Sequence, residues 1–194
     1  VFLSFIALSF SSCTDDDNGY TIDEEWKSFQ EDLFKTEASK NGFKKVYTYS
    51  SSNTPNELTS DYILWKSSSV MDDSDKRVRI NQSGYAEFTD SIRVRYEGWY
   101  FDKDNEKIIY DTTEGYVTGG TANYNKVPRT FLAGGVIEGW RTALQEMKQG
   151  DEAEFVIPWK LGYREYSSGS IPGFTTLYVR MKVIEISQME GRTS

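Results

Sequence analysis

Apolar and polar positions change texture several times along the chain. Leu3 to Phe10 is a continuous apolar run that gives way at residue 14 to the polar stretch Thr14-Asp-Asp-Asp-Asn-Gly19. Thr21-Ile-Asp-Glu24 then has the spacing of a capping box, and Trp26, Phe29, Leu33 and Phe34 recur at helical intervals. This predicts a helix that stops at Asn41-Gly42. Residues 48–60 have the Ser, Thr, Asn and Pro content of a loop, Asp61 to Lys66 reads as a strand, and Met71-Asp-Asp-Ser-Asp75 reads as an acidic turn.

From about residue 84 the period becomes two. Ile92, Val94 and Tyr96 alternate with Arg93 and Arg95, which predicts a half-buried strand with its arginines outward. Ala153, Phe155 and Ile157 form a second such set, and Leu177, Val179, Met181 and Val183 a third. Between them Ile137, Trp140, Leu144 and Met147 mark one short amphipathic helix that runs up to Gly150. Antiparallel strands with a single short helix imply an α+β fold, the helix lying on one concave face of the sheet.

Composition narrows the chemistry more than the fold. The 194 residues hold 22 Lys and Arg against 30 Asp and Glu, a formal charge of −8, so there is no basic surface for nucleic acid. There is no histidine, which excludes Ser-His-Asp and Cys-His triads, a His general base and His-ligated zinc. One cysteine can form neither an internal disulfide nor a thiolate cluster. Neither Gly-Gly pair, at 119–120 or 134–135, is followed by the Lys-Ser/Thr of a phosphate loop. The Met71–Asp75 carboxylates lack the register of an EF-hand and read as a solvated loop. No metal or cofactor is expected.

The start of the chain carries a separate signal. The run over residues 3–10 is too short to span a bilayer and ends in Phe10-Ser-Ser-Cys13. That tetrapeptide resembles the lipobox of bacterial lipoproteins, with Phe where Leu is usual. The resemblance implies that residues 1–12 are a signal-peptide remnant, that Cys13 is lipidated, and that residues 13–20 tether the protein to the outer membrane on its periplasmic or surface side.

Six blocks between residues 90 and 186 resemble the FKBP-type peptidyl-prolyl isomerase domain, in the family's order. They are Val94-Arg-Tyr96-Glu-Gly98, Tyr110-Asp111-Thr-Thr, Phe131-Leu-Ala-Gly-Gly-Val136-Ile137-Glu-Gly139-Trp140, Ala143-Leu144-Gln-Glu-Met147-Lys-Gln-Gly150, Ile157-Pro158-Trp-Lys-Leu161-Gly-Tyr163 and Ile171-Pro172-Gly-Phe-Thr-Thr176-Leu177. The resemblance implies a twisted antiparallel sheet wrapped around one short helix over residues 84–190. Residues 21–83 would form an N-terminal helix and strand extension.

It also implies rotation of X-Pro bonds, which needs no nucleophile and suits a chain without histidine. Residues 96, 111, 140 and 163 match the family's catalytic positions, as Tyr96, Asp111, Trp140 and Tyr163. Trp140 would be the pocket floor, with Tyr110, Val136, Ile137, Ile171 and Val179 contacting substrate. The Ile137 N–H and the Tyr163 hydroxyl match groups that bond peptide carbonyls, and Asp111 matches the acid beside the rotating carbonyl. Partners would be unfolded or proline-containing polypeptides and macrolides of the rapamycin type.

Four departures from the family pattern suggest a more open pocket. Val127 or Arg129 stands where an aromatic is usual, Val179 stands for Phe, Gly173 for Pro, and Arg164 for Gly. The Thr112–Lys126 connection is also longer than in minimal members. A non-catalytic peptide-binding module and a purely structural surface lipoprotein remain alternatives, because a fold alone does not assign a function.

Overall fold

The computed structural model describes residues 22–49, 58–68, 85–118, 121–123 and 126–187. Cys13, the apolar run before it, the Met71–Asp75 turn and Gly119-Gly120 lie outside the described residues.

Helix α1 spans Glu24–Ser39. Its N-terminus is closed by the Asp23 side chain, which accepts from the Trp26 N–H at 2.8 Å, so Asp23 is the cap instead of the expected Thr21. At the other end Gly42 takes a left-handed φ of 102° and turns the chain into β1 (Lys44–Tyr49). Strand β2 covers Leu58–Ser67, so both ends of the expected loop are strand and residues 50–57 lie outside the described residues.

The remaining strands are β3 (Ser91–Phe101), β4 (Lys107–Thr112), β5 (Tyr116–Thr118), β6 (Thr121–Asn123), β7 (Arg129–Leu132), β8 (Glu152–Ile157) and β9 (Leu177–Ser187). Strands β5 and β6 form a separate hairpin. The others make one sheet in the order β1-β2-β8-β9-β3-β4, with β7 also paired to β3. Because β2 is hydrogen-bonded to β8, the N-terminal segment and the C-terminal half share a single sheet.

Two features of β3 position everything that follows. One edge pairs with β9 along nearly its whole length. The other edge changes partner: Ser91 to Val94 pair with β7, and Glu97 to Phe101 pair with β4. Tyr96 sits at the gap, where its backbone is satisfied by Thr113 instead of a strand. The Tyr96 N–H donates to Thr113 Oγ1 at 2.7 Å, and the Tyr96 carbonyl accepts from the Thr113 N–H at 2.8 Å.

Helix α2 spans Glu138–Leu144, one turn shorter than the spacing of its apolar residues predicts. The chain leaves it through turn-type bonds, from the Glu146 N–H to the Ala143 carbonyl and from the Met147 N–H to the Leu144 carbonyl. Met147 is nevertheless fully buried, so the burial pattern outlasts the helix. A side chain at Gly139 would overlap Ile157 of β8, and the glycine allows α2 to lie close to the sheet. Trp140, Ala143 and Leu144 join Ile63, Val94, Tyr96, Phe155, Val179 and Met181 in the main core.

The strand alternation fails at one place. Arg95 is not an outward residue: it is 1 % exposed, and its Nε donates to Glu114 Oε1 at 2.9 Å while its Nη2 meets Glu114 Oε2. The second face of β3 is thus covered, and a paired charge takes the place of an apolar side chain there.

Candidate active site

A cavity of about 420 Å³ opens where β3 changes partner. Tyr96 of β3, Phe131 of β7 and Trp140 of α2 form its aromatic floor. Trp140 stands edge-on to both rings, with centroids 5.0 Å from Tyr96 and 5.5 Å from Phe131. Val136 and Ile137, on the connection into α2, supply one side, and Tyr110 of β4 another. Tyr110 can lie across β3 because residue 98 is glycine; a side chain there would overlap the phenol ring. The Tyr110 hydroxyl is buried without a hydrogen-bond partner among the described residues, and this burial pushes its pKa well above the ordinary phenol range.

The far side is the segment Tyr163 to Ile171, held by three sets of bonds. Ser168 and Ile171 exchange backbone bonds at 2.9 and 3.0 Å. The Tyr100 hydroxyl donates to the Ser170 carbonyl at 3.1 Å, and Trp26 Nε1 of α1 donates to the Gly173 carbonyl at 2.9 Å.

Two of the expected departures explain themselves here. A side chain at Gly173 would strike the Glu165 carbonyl, so the closed loop excludes one. Arg164 occupies a left-handed conformation, with φ of 62°, that glycine would adopt without strain.

At the rim lies a polar cluster. The Tyr96 hydroxyl donates to Asp111 Oδ2 at 2.5 Å, and the Thr112 N–H donates to Asp111 Oδ1 at 2.9 Å. Arg129 Nη1 donates to Asp111 Oδ2 at 2.7 Å and to the Tyr96 hydroxyl at 3.0 Å. Burial, and then the bond to Asp111, raise the Tyr96 pKa far above that of a free phenol, so the ring remains a neutral donor. Among the described residues neither the Ile137 N–H nor the Tyr163 hydroxyl makes a hydrogen bond within the protein.

Eight of the nine residues expected in the site line this cavity: Tyr96, Tyr110, Asp111, Val136, Ile137, Trp140, Tyr163 and Ile171. Val179 does not. It is fully buried on β9 opposite Phe155, packed in the core and absent from the cavity wall. The expectation that it contacts substrate is therefore corrected: the side chain points into the core layer between the sheet and α2.

The sequence reading does not assign Phe131 to the site, and it places Arg129 there only as a replacement for an aromatic, without its bond to Asp111. The period of two in Arg129-Thr-Phe131 was the available signal, because it places both on one face of β7. Among the described residues no group of three or more Asp, Glu or Cys is placed to hold a metal ion.

The chain is similar to known proteins in sequence and in fold. The sequence profile described as FKBP-type peptidyl-prolyl cis-trans isomerase matches residues 83–184. The FKBP-type 22 kDa peptidyl-prolyl cis-trans isomerase of Escherichia coli K12 is 36 % identical over 99 residues, which are 50 % of this chain and 42 % of that protein. A probable FKBP-type isomerase, FkpA, of Neisseria meningitidis is 34 % identical over 103 residues, 53 % of this chain and 33 % of that protein. The chain thus spans less than half the length of these two relatives.

The crystal structure of FkpA from Escherichia coli superimposes with a TM-score of 0.58 at 19 % identity, covering 85 % of this chain and 61 % of that one. The crystal structure of an isomerase from Pseudomonas syringae gives 0.59 at 22 % identity, covering 87 % and 98 %. These structural likenesses cover more of the chain than residues 83–184, so the shared fold extends beyond the profile match. With just over half of its residues inside the profile match, the chain belongs to the FKBP-type peptidyl-prolyl cis-trans isomerase family.

Proposed function

We propose that the protein is a prolyl isomerase that rotates X-Pro bonds in unfolded or proline-containing polypeptides outside the cytoplasm. The observation that carries this reading is the aromatic floor of Tyr96, Phe131 and Trp140 with a carboxylate at its rim, in a chain without histidine. A proline ring is the apolar group such a floor accepts.

Rotation makes and breaks no covalent bond. Its barrier of about 20 kcal/mol reflects the resonance lost when the amide twists. In the planar amide the carbonyl oxygen carries extra negative charge, which water stabilises, and in the twisted amide much of that charge returns to nitrogen. With the ring on Trp140, the carbonyl of the residue before proline lies beside Asp111. A bound peptide would displace water there, and a carboxylate repels the planar form's oxygen more than the twisted form's. The Ile137 N–H and the Tyr163 hydroxyl hold neighbouring carbonyls while this one turns. Each 1.4 kcal/mol of selective stabilisation is about a tenfold gain in rate. Macrolides of the rapamycin type would occupy the same floor.

A protease-coupled cis/trans assay on the 194-residue chain tests the reading, with Trp140→Ala as control. Activity above the spontaneous rate that falls at least tenfold in the variant is expected. No rate above the spontaneous one would favour the non-catalytic binding module.

The lipobox-like Phe10-Ser-Ser-Cys13 supports a second part of this reading, in which Cys13 carries lipid and residues 13–20 tether the domain to the outer membrane. Two or more acyl chains anchor stably, at about 0.8 kcal/mol per buried CH2. Cys13→Ser should move the protein from the detergent phase to the aqueous phase. Equal partitioning of the two forms would refute lipidation.

A further inference from the structure

Arg129 stands at the rim with half of its side chain exposed and only one of its nitrogens in use. Both of its bonds, to Asp111 and to the Tyr96 hydroxyl, come from Nη1. Among the described residues Nε and Nη2 have no partner. These two nitrogens form one edge of the guanidinium, and their parallel N–H groups match the two oxygens of a carboxylate. The other edge is pinned to Asp111, so the group is already oriented and a ligand need not order it. The nearby charges leave this edge unclaimed: Glu114 is engaged by Arg95, and Glu138 lies 3.8 Å from Arg164.

We propose that Arg129 is a specificity-determining residue: its free edge receives the carboxylate of an acidic side chain on the residue immediately before proline. The inference rests on the isomerase reading, which places that residue's carbonyl beside Asp111. A side chain leaving the same residue has Arg129 within reach, because Arg129 bonds Asp111 directly. An aromatic at this position would select a bulky apolar neighbour for the proline. A half-pinned guanidinium selects Glu or Asp, and it does so on a protein whose net charge of −8 does not favour acidic peptides overall. The preference is therefore local, and it weakens as salt shortens the range of the attraction.

The test compares four peptides, Ala-X-Pro-Phe with X = Glu, Gln, Leu or Lys, in the full chain and in Arg129→Gln. Isomerisation is read by magnetisation exchange and affinity by calorimetry. Glu and Gln have nearly the same shape, so their ratio cancels any general damage done by the substitution. In low salt the native protein should favour Glu over Gln by about threefold to fivefold in both measurements, the range of a partly exposed ion pair. The ratio should fall toward one at 0.5 M salt, and to one or below in Arg129→Gln. A native ratio of one, or a ratio that survives Arg129→Gln, would overturn the proposal. If no peptide is isomerised, the catalytic reading fails, and the calorimetric ratio still decides whether Arg129 receives a carboxylate.

Discussion

The two faces of the sheet solve the same problem with different materials. On the concave face, apolar side chains from β3, β8 and β9 meet α2, and the cavity opens over Trp140. On the opposite face α1 packs Phe34 and Ala38 against Leu64, Trp99, Val156 and Tyr178, and directional bonds are added to this apolar contact. Gln30 is fully buried in the middle of this helix. Its Nε2 donates to the Phe101 carbonyl at 2.8 Å, its Oε1 accepts from the Thr176 N–H at 3.0 Å, and its backbone carbonyl accepts from Thr176 Oγ1 at 2.8 Å. Beyond α1, ion pairs such as Arg95 with Glu114 and Lys182 with Glu152 cover the same face. Apolar packing tolerates small slips in position, whereas a three-bond staple does not. The difference teaches that the helix behind the sheet is placed by burial together with bond geometry, and the helix in front by shape and burial.

The sharpest way to break this contrast is Gln30→Ala. It removes two side-chain bonds, leaves the Phe101 carbonyl and the Thr176 N–H buried without partners, and opens a void. A loss of about 3 kcal/mol in urea unfolding is expected. A loss below 1 kcal/mol would mean that α1 is held by its apolar residues after all. Glu114→Gln comes next, at about 2 kcal/mol, because Arg95 keeps its charge at 1 % exposure and loses the carboxylate that holds it. Replacing both members, Arg95→Met with Glu114→Leu, should recover most of that loss.

The concave face should respond in rate more than in stability. Tyr96→Phe removes the donor to Asp111 and should lower turnover about fivefold with less than 1 kcal/mol of destabilisation, measured by the isomerase assay and by thermal melting. Smaller still is Arg164→Gly, which relieves the left-handed strain at the cost of a more flexible unfolded chain, for a net gain of about 0.5 kcal/mol.

The smallest expected effect is none. Between pH 6 and 8 turnover should be flat, because the chain has no histidine and Tyr96 titrates far above that window. The sign follows from linkage. A phenol whose folded pKa is raised contributes stability that is fully present below its unfolded pKa of about 10 and is lost as pH rises beyond it. A bell-shaped rate profile centred near neutrality would contradict rotation without proton transfer.

The same contrast decides what could be read from the sequence. The concave face was legible because burial there obeys a period of two in Ala153, Phe155 and Ile157 and a helical period around Trp140. The ordered blocks then placed eight residues in one cavity. Arg95 misled, since its alternation with Val94 and Tyr96 assumes that the second face meets water, and no local pattern reveals a carboxylate arriving from residue 114. Gln30 left no trace either, because a glutamine on a helix reads as solvated unless its distant partners are known. Val179 was misplaced for a related reason: a match in position says which strand a residue belongs to, but its depth depends on where α2 and the loops lie.

The Trp26 bond to Gly173 joins positions 147 residues apart, and both Thr176 bonds to Gln30 span 146. During synthesis α1 is made before every strand of the sheet and completes these bonds only once the segment leading into the last strand exists. Until then Phe34 can meet Tyr62 of β2, but Trp26 and Gln30 lack their partners and one wall of the cavity lacks its brace. Closing loops of this length before any reward is gained makes assembly slow and leaves sticky surface exposed meanwhile. The domain thus spends much of its own synthesis as an unfinished chain.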